Sequence, residues 1–450
     1  MKRTIISTIL STNRLYALLV LATVALVIAR LLSVIVAPPG FFLDEAAGAA
    51  HAISLLHTGM NAHDVVLPLY SESLGGGYTT PIYVYPLVSW IALFGTSELA
   101  FRYFSVICGL LAIALLSFSI NTWFSKKDAL ITAVVALALP WGWLQSNLAW
   151  DPALVPLFIT GAFAAFTVIL HSSSRAMRTA MLVLFPAFLL CLAYLYPPAR
   201  VTAPLLFIGG YVYFWRRGII SIRSLFVTCI ASAIAAIPLL EFMIQPEALG
   251  RSSALSVFHD TSFIHGIGLL ITNIAHLLNP LFLFVYGDPN LRHATGFQGM
   301  LGIAATPAVI ALIVAGYQAL RRNKAFYVLG SREKLLIAVA VYGAMAAFLG
   351  SALTNEGQPH SLRACAAWPF IVILLVIGWR IVQAAPIAKA VKWTALTVAI
   401  IATCAYCIDL VAFYPNRSAS SFDVSERQMI SEDQPTLDYP DLARRYYQIR

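Results

Sequence analysis

The sequence predicts an all-α polytopic membrane protein with about 11 transmembrane helices and interfacial helices in its first exterior loop. Three observations carry this. Hydrophobic residues make up 60% of the chain and charged residues 11%, and the mean hydropathy is +0.81, a balance soluble domains do not reach. Apolar runs of roughly 20 residues recur along the whole length. The basic residues fall mostly in short loops between those runs, so the net charge of +9 reads as an orientation signal and not as the footprint of a nucleic acid.

Taken in order, the first apolar segment is 15–37. It follows a basic stretch, is long enough to span and has no small-residue cleavage site before Pro38, so it is expected to stay as an anchor. Further spans are placed at 99–123, 128–145, 152–171, 178–196, 201–215, 222–244, 298–319, 335–353, 364–383 and 392–413. Ile82–Phe94 is apolar but holds Pro86 and is only about 13 residues long, which suits an interfacial or re-entrant helix. Charge supports leaving it out. One set of loops then collects 18 of the 29 Lys and Arg, from Lys2, Arg3 and Arg14 to Arg380, Lys389 and Lys392, with only Asp128 and Glu333 as acids. The positive-inside rule puts that side and the N-terminus in the cytoplasm, for a multi-pass protein of the cell (inner) membrane. The extracytoplasmic side receives the first loop (38–98), the turns at Asp151, Tyr196–Arg200 and 354–363, the long loop 245–297, and a short tail, 414–450. Residues 1–413 form the membrane domain. The six Cys all fall in predicted spans, which argues against a disulfide framework.

The unusual chemistry lies outside. Asp44 and Glu45 are adjacent carboxylates at the start of a helical pattern, and no Lys or Arg occurs from Leu31 to Ala100. In a helix from Asp44 to Gly59, positions 44, 48, 51 and 58 fall within about 40° of one face. That groups Asp44 with His51 and turns Ile53 and Leu56 toward the membrane, an amphipathic helix lying in the interface. Two readings of Asp44 stay open here, a helix cap and a catalytic base. Arg102, Arg200, Arg292 and Arg363 sit on the side where positive charge is disfavoured. A shared phosphate would explain them, as would snorkelling or pairing with Glu98, Asp288 or Glu356. Tyr83, Tyr85, Asp151, Tyr196, Asp288, His293 and His360 complete the outward polar and aromatic set and are candidate substrate contacts. Asp151 precedes a Pro and is placed to cap the helix that follows. Asp44, Glu45, His51 and His63 offer metal-type donors without a tight spacing; no metal ligand is assigned, and a divalent metal stays open as a cofactor.

Leu43-Asp-Glu-Ala46, Leu55-Leu-His-Thr-Gly59, Leu67-Pro-Leu69, Pro81-Ile-Tyr-Val-Tyr85, Phe94-Gly95 and Glu98-Leu-Ala-Phe-Arg102 occur in an order that resembles the first exterior loop of GT-C glycosyltransferases. The likeness is to the branch of the aminoarabinose transferases and protein O-mannosyltransferases. Gly287-Asp-Pro-Asn-Leu-Arg-His293 and His360-Ser-Leu-Arg363 are similar to later loops of bacterial relatives. The resemblance implies the GT-C fold and a sugar donor carried on a polyprenyl phosphate. It implies transfer to a lipid, glycan or protein hydroxyl at the outer face, with membrane lipids as surroundings. In that scheme Asp44 is the general base, Glu45 positions it or the acceptor, and Arg102, Arg200, Arg292 or Arg363 bind the leaving phosphate. The chain departs from the aminoarabinose branch where Ala46-Ala47-Gly48 stand in place of an early Arg, and it lacks the Trp-Trp-Asp motif of oligosaccharyltransferases. A lipid or solute transporter is the competing class; it predicts ionisable groups at membrane depth, for which Arg30, Glu241 and Asp409 are the candidates.

Overall fold

The computed structural model describes residues 2–61, 63–73, 77–321 and 327–422. The chain begins with α1 (Lys2–Ser33), and the Pro38-Pro39-Gly40 break leads into α2 (Leu43–Thr58). A two-stranded antiparallel hairpin follows, β1 (Ser71–Ser73) against β2 (Gly77–Thr79), with Glu72 opposite Tyr78. Then come α3 (Pro81–Phe94), α4 (Glu98–Trp123), α5 (Lys126–Ala138) and α6 (Trp141–Asn147). After a 3-10 turn at Asp151–Leu154 the chain continues as α7 (Val155–His171), α8 (Arg175–Leu195), α9 (Ala199–Arg216), α10 (Ile222–Ala235) and α11 (Ile237–Met243). The last helices are α12 (Pro246–Ala254), α13 (Phe263–Leu277), α14 (Thr306–Leu320), α15 (Ser331–Ala352), α16 (Trp368–Ala384), α17 (Lys389–Ala412) and the short α18 (Tyr414–Ser418).

Among the described residues nine helices are long and apolar enough to cross a membrane, or up to 11 if α5–α6 and α10–α11 each count as one bent span. The expected all-α membrane bundle stands, with two changes in its membership. The segment expected as a span at 201–215 is helical in α9, but with Arg200 and Arg216 at its ends it fails that test. Phe263–Val285, expected as part of a long loop, passes it. Its geometry keeps it at one end of the bundle. Before the helix, Val257 N–H donates to the Leu353 carbonyl. Within it, Asn273 Nδ2 donates to the carbonyls of Ala352 (3.0 Å) and Thr354 (3.1 Å). Just beyond the segment, Asp288 accepts from the N–H of Ser361 (2.7 Å), so both flanks return to the end of α15 and the turn that follows it, while Phe263, Ile264 and Ile271 stay exposed. A helix with one fully apolar face and both flanks on one side suits an interfacial position.

α4, α7 and α16 form the centre of the bundle. Small residues set the closest approaches: a Cβ at Gly378 of α16 would lie 2.3 Å from the Ala308 carbonyl oxygen of α14, the close backbone approach that small residues allow between membrane helices. Arg30, inside α1, faces protein. Its guanidinium donates to Ser146 Oγ (2.8 and 3.1 Å) and lies 5.5 Å from the Trp143 ring. At one end of the bundle Arg380 bridges Asp128 (2.7 Å) and Glu333 (3.3 Å), joining α16 to α5 and α15.

At the other end sits the contact that positions the first loop. Glu45, with 0% exposure, accepts from Arg102 Nε (2.9 Å) and Nη2 (3.0 Å), from the N–H of Phe42 (2.9 Å) and from that of Ala149 (2.8 Å). Arg102 also reaches Glu98 (2.8 Å) and donates to the carbonyls of Pro38 (3.2 Å) and Gly40. α2 is therefore not the amphipathic interface helix expected. It is enclosed on nearly every side, Ile53 included, because its Ala- and Gly-rich surface lets neighbours approach closely; a Cβ at Gly48, for one, would lie 3.2 Å from Cε1 of Tyr83. The start of the tail packs back onto this region through Phe422, which touches Gly40 and Phe42. The rest of the expected 414–450 tail, from 423 on, lies outside the described residues. Removing one partner of a buried ion pair leaves an unpaired charge, at about 3–5 kcal/mol. Arg102→Met and Glu45→Gln should each lower the thermal midpoint of the purified protein far more than Arg175→Ala does, and the double variant should recover part of the loss. Additive losses in the double variant would mean the two side chains do not act as a pair.

Candidate active site

Neighbouring residues on a helix point about 100° apart, and the first turn of α2 uses this. Glu45 turns inward to Arg102, so Asp44 faces out and is exposed. Asp44 lies close enough to Asp151 for the two carboxylates to repel, and both act on Tyr196. Asp151 does not cap the helix that follows it. Its carboxylate accepts from the N–H of Thr80 (3.1 Å), the residue before α3. The bend that sets it there is the 69° break between α5 and α6, which is tied down by Asn147 Nδ2 donating to Ser33 Oγ (3.0 Å) and the Ala37 carbonyl (3.1 Å). Burial first, and then the neighbouring Cys365, raise the Tyr196 phenol, against the pull of Arg363.

Three of the four expected arginines contact or act on residues linked to these carboxylates. Arg363 donates to Glu356 (2.9 Å), to its carbonyl (2.8 Å) and to Thr354 Oγ1 (3.0 Å), and it acts on both Tyr196 and His360. Arg292 stacks 3.9 Å over Phe42, the residue that begins α2. Arg200 lies 5.8 Å over Phe242 and interacts with Tyr70, which in turn feels Asp151. Burial raises Tyr70 to about 12. Arg102 does not join them. At 1% exposure and engaged with two carboxylates and two carbonyls, it has no donor to offer a phosphate. Glu45 is likewise taken up in holding the loop, at a distance from the role of aiding Asp44 directly.

The remaining expected contacts divide into scaffold and a separate cluster. His51 is buried, and its Nε2 pairs with the Glu72 carbonyl (2.9 Å), fixing the hairpin to α2. Tyr85 donates to the Pro68 carbonyl (2.7 Å), and Tyr83 is enclosed beside Ser105, with its phenol raised well above normal by burial. The His51 and His63 rings are 5.7 Å apart, but Glu45 and His51 are both committed elsewhere, so that metal-type set is not assembled. Asp288, His293 and His360 do meet, with one ligand-type atom from each within 4.8 Å of the others. Burial alone would raise the Asp288 carboxyl, but hydrogen bonding to His293 and the charges of both imidazoles hold it below the usual range. Burial, and then His293, lower His360 to about 3. Sequence reasoning missed Phe42, Tyr70, Phe242 and Ser361, because aromatic platforms and a backbone-fixed Ser carry no motif. The Leu-Pro-Leu-Tyr run around Tyr70 was the one available signal.

The helical bundle with its enclosed first-loop helices has the GT-C fold seen in solved membrane glycosyltransferases. A crystal structure of ArnT from Cupriavidus metallidurans in the apo state matches with a TM-score of 0.54 at 16% identity, covering 96% of this chain and 80% of that one. The same ArnT bound to undecaprenyl phosphate gives a TM-score of 0.45 at 12% identity, over 94% and 78%. The Archaeoglobus fulgidus oligosaccharyltransferase in its apo form gives 0.46 at 15% identity, over 94% of this chain and 56% of that one. No family model and no curated protein sequence matches the chain.

His51 supplies a pH test of this scaffold. Burial, against the Glu72 hydrogen bond and with help from His63, lowers it from 6.5 to about 4. The folded value is the depressed one, so its contribution is complete above the unfolded value and is lost as pH falls toward the folded one. That amounts to about 3 kcal/mol. Thermal stability in detergent should fall between pH 6.5 and 4, and His51→Gln should flatten part of that fall while leaving the share of His360. An unchanged pH slope in His51→Gln would show that His51 titrates freely in the folded protein.

Proposed function

We propose that the protein is a GT-C glycosyltransferase that moves a sugar from a polyprenyl phosphate to a hydroxyl of a lipid, glycan or protein at the extracytoplasmic face. The observation that carries this is the exposed Asp44 beside Asp151, with Arg200 on Tyr70, Arg292 on Phe42 and Arg363 acting on Tyr196, residues that border the pair in the chain or feel its charge. Two repelling carboxylates favour uptake of a proton. Asp44 takes the proton from the acceptor hydroxyl as that oxygen attacks the anomeric carbon. The bond from that carbon to the donor phosphate breaks on the opposite face, inverting the centre. The lipid phosphate leaves with the electron pair and needs no proton, and the guanidiniums stabilise its developing charge. The fold shared with ArnT supports the reaction class, and because an ArnT has been crystallised with undecaprenyl phosphate, that lipid is the donor carrier to test first. The transporter reading has less support. Arg30 is bound to Ser146, Asp409 is paired with Arg417 (2.7 Å), and Glu241 is exposed on α11.

The purified protein, given a panel of undecaprenyl-phosphate sugars, should release undecaprenyl phosphate. Asp44→Asn should reduce turnover about 10²–10⁴-fold, the usual worth of a general base, while Arg363→Met should chiefly raise the KM for donor. Full turnover by Asp44→Asn would remove Asp44 from the mechanism. A panel with no turnover, together with lipid movement in vesicles, would favour the transporter.

A further inference from the structure

The bend between α5 and α6 rests on a guanidinium that has no acid beside it. Arg30 of α1 is 1% exposed. Among the described residues its hydrogen-bond partner is Ser146 Oγ, reached from Nε (3.1 Å) and Nη2 (2.8 Å), and Nη1 has none. The acids that pair with arginine, Glu45, Glu98, Glu356, Asp128, Glu333 and Asp409, are held by Arg102, Arg363, Arg380 and Arg417. A second buried donor, Nε1 of Trp368 at the start of α16, is also without a partner among the described residues. Both side chains face Gly142 of α6. A Cβ there would lie 3.1 Å from Arg30 Nη2 and 3.3 Å from Trp368 Nε1, so the two donors come together over a backbone position that carries no side chain. The unmatched acceptors nearest in the chain, Gln145 Oε1 and Asn147 Oδ1, bond neither of them. Their amide nitrogens are turned to Pro152 and to Ser33 and Ala37.

We propose that a small monovalent anion, chloride, binds between Arg30 and Trp368 beside Gly142. A buried charge left unpaired is costly, and so is a buried N–H without an acceptor. The Trp143 ring, 5.5 Å from the guanidinium, offsets part of the first cost but accepts no hydrogen bond from Nη1. Water would serve the N–H groups and leave the charge. A halide serves both, because it carries the opposite charge and accepts from several donors at once. A phosphate or sulfate would bring more oxygens than these two side chains have donors to satisfy. The ion joins α1, α6 and α16, about one helical turn from the ties that set the bend. Those ties run from Asn147 to Ser33 and Ala37, and the next residues give the Ala149 N–H to Glu45 and the Asp151 carboxylate to the Thr80 N–H. The anion is therefore a structural ion under the candidate site, and its binding does not depend on which reaction the site performs.

The full chain, purified in detergent, would be moved into sodium gluconate and titrated with NaCl or NaBr at constant ionic strength. The thermal midpoint should rise along a one-site saturation curve, and crystals grown in bromide should show an anomalous peak beside Gly142. Trp368→Phe removes one donor and should weaken the halide affinity by about tenfold, the usual worth of a hydrogen bond to a charged group. Gly142→Ala places a methyl between the donors and should abolish the saturable response, while Arg175→Ala, exposed at the start of α8, should leave it unchanged. A wild-type midpoint that is the same in gluconate and in chloride would overturn the proposal and leave water as the partner of the two donors. So would a saturable halide response that persists with unchanged affinity in both Trp368→Phe and Gly142→Ala, since the ion would then sit elsewhere.

Discussion

Glu45 and Arg102 are both out of water in a chain that carries very little charge, and everything around the candidate site depends on their pairing. Removing two ions from solvent is costly, and geometry has to offset that cost. Here it does so with four donors on one carboxylate. They come from α4, from the backbone that begins α2 and from the turn before Asp151. Three segments far apart in the chain thus share one anion. The pair takes no part in the proposed reaction; it decides where the residues on either side of it must point.

The division of charge follows from this. The first loop contributes carboxylates and no cation, and its one close guanidinium is consumed in holding it together. Positive charge reaches the site from later segments: Arg200 through Tyr70, Arg292 across the Phe42 ring, and Arg363 from the turn after α15. In each case an aromatic ring or a carbonyl holds the guanidinium. A planar cation with fixed forks can be oriented in this way and still present edges to a ligand, which a flexible ammonium could not.

The apolar bundle was legible because runs of roughly 20 apolar residues have few other uses, and the short helix with Pro86 was legible by its length. The enclosure of α2 was not. Ile53 looked membrane-facing by helical period, yet period cannot say whether other protein covers the second face. Phe263–Val285 was placed within the long loop 245–297; its apolar run is broken by polar residues, of which Asn273 proves to be the anchor that returns it to α15. Asp44 and Glu45 were equivalent as letters; a rotation of one residue on the helix separates a buried strut from an exposed acid. Pairing of Arg102 with Glu98, four residues away, was open to the sequence, whereas its second carboxylate, Glu45, lies in the first loop and could not be foreseen. The meeting of Asp288 and His293 with His360 follows from the packing of two turns and leaves no mark in local spacing.

The contact between Gly40 and Phe422 joins the two ends of the described chain. A Cβ at Gly40 would lie 2.6 Å from that of Phe422, and Arg417 and Tyr414 beside it hold the carbonyls of Thr295 and Leu291. The stretch from Gly40 to Phe42 is made early in synthesis, yet the ring that packs on it is made about 380 residues later. Membrane insertion of the first helices therefore cannot by itself complete the packing around Gly40 and Phe42. The order of translation builds in a delay, during which Gly40 and Phe42 lack the ring that later packs on them.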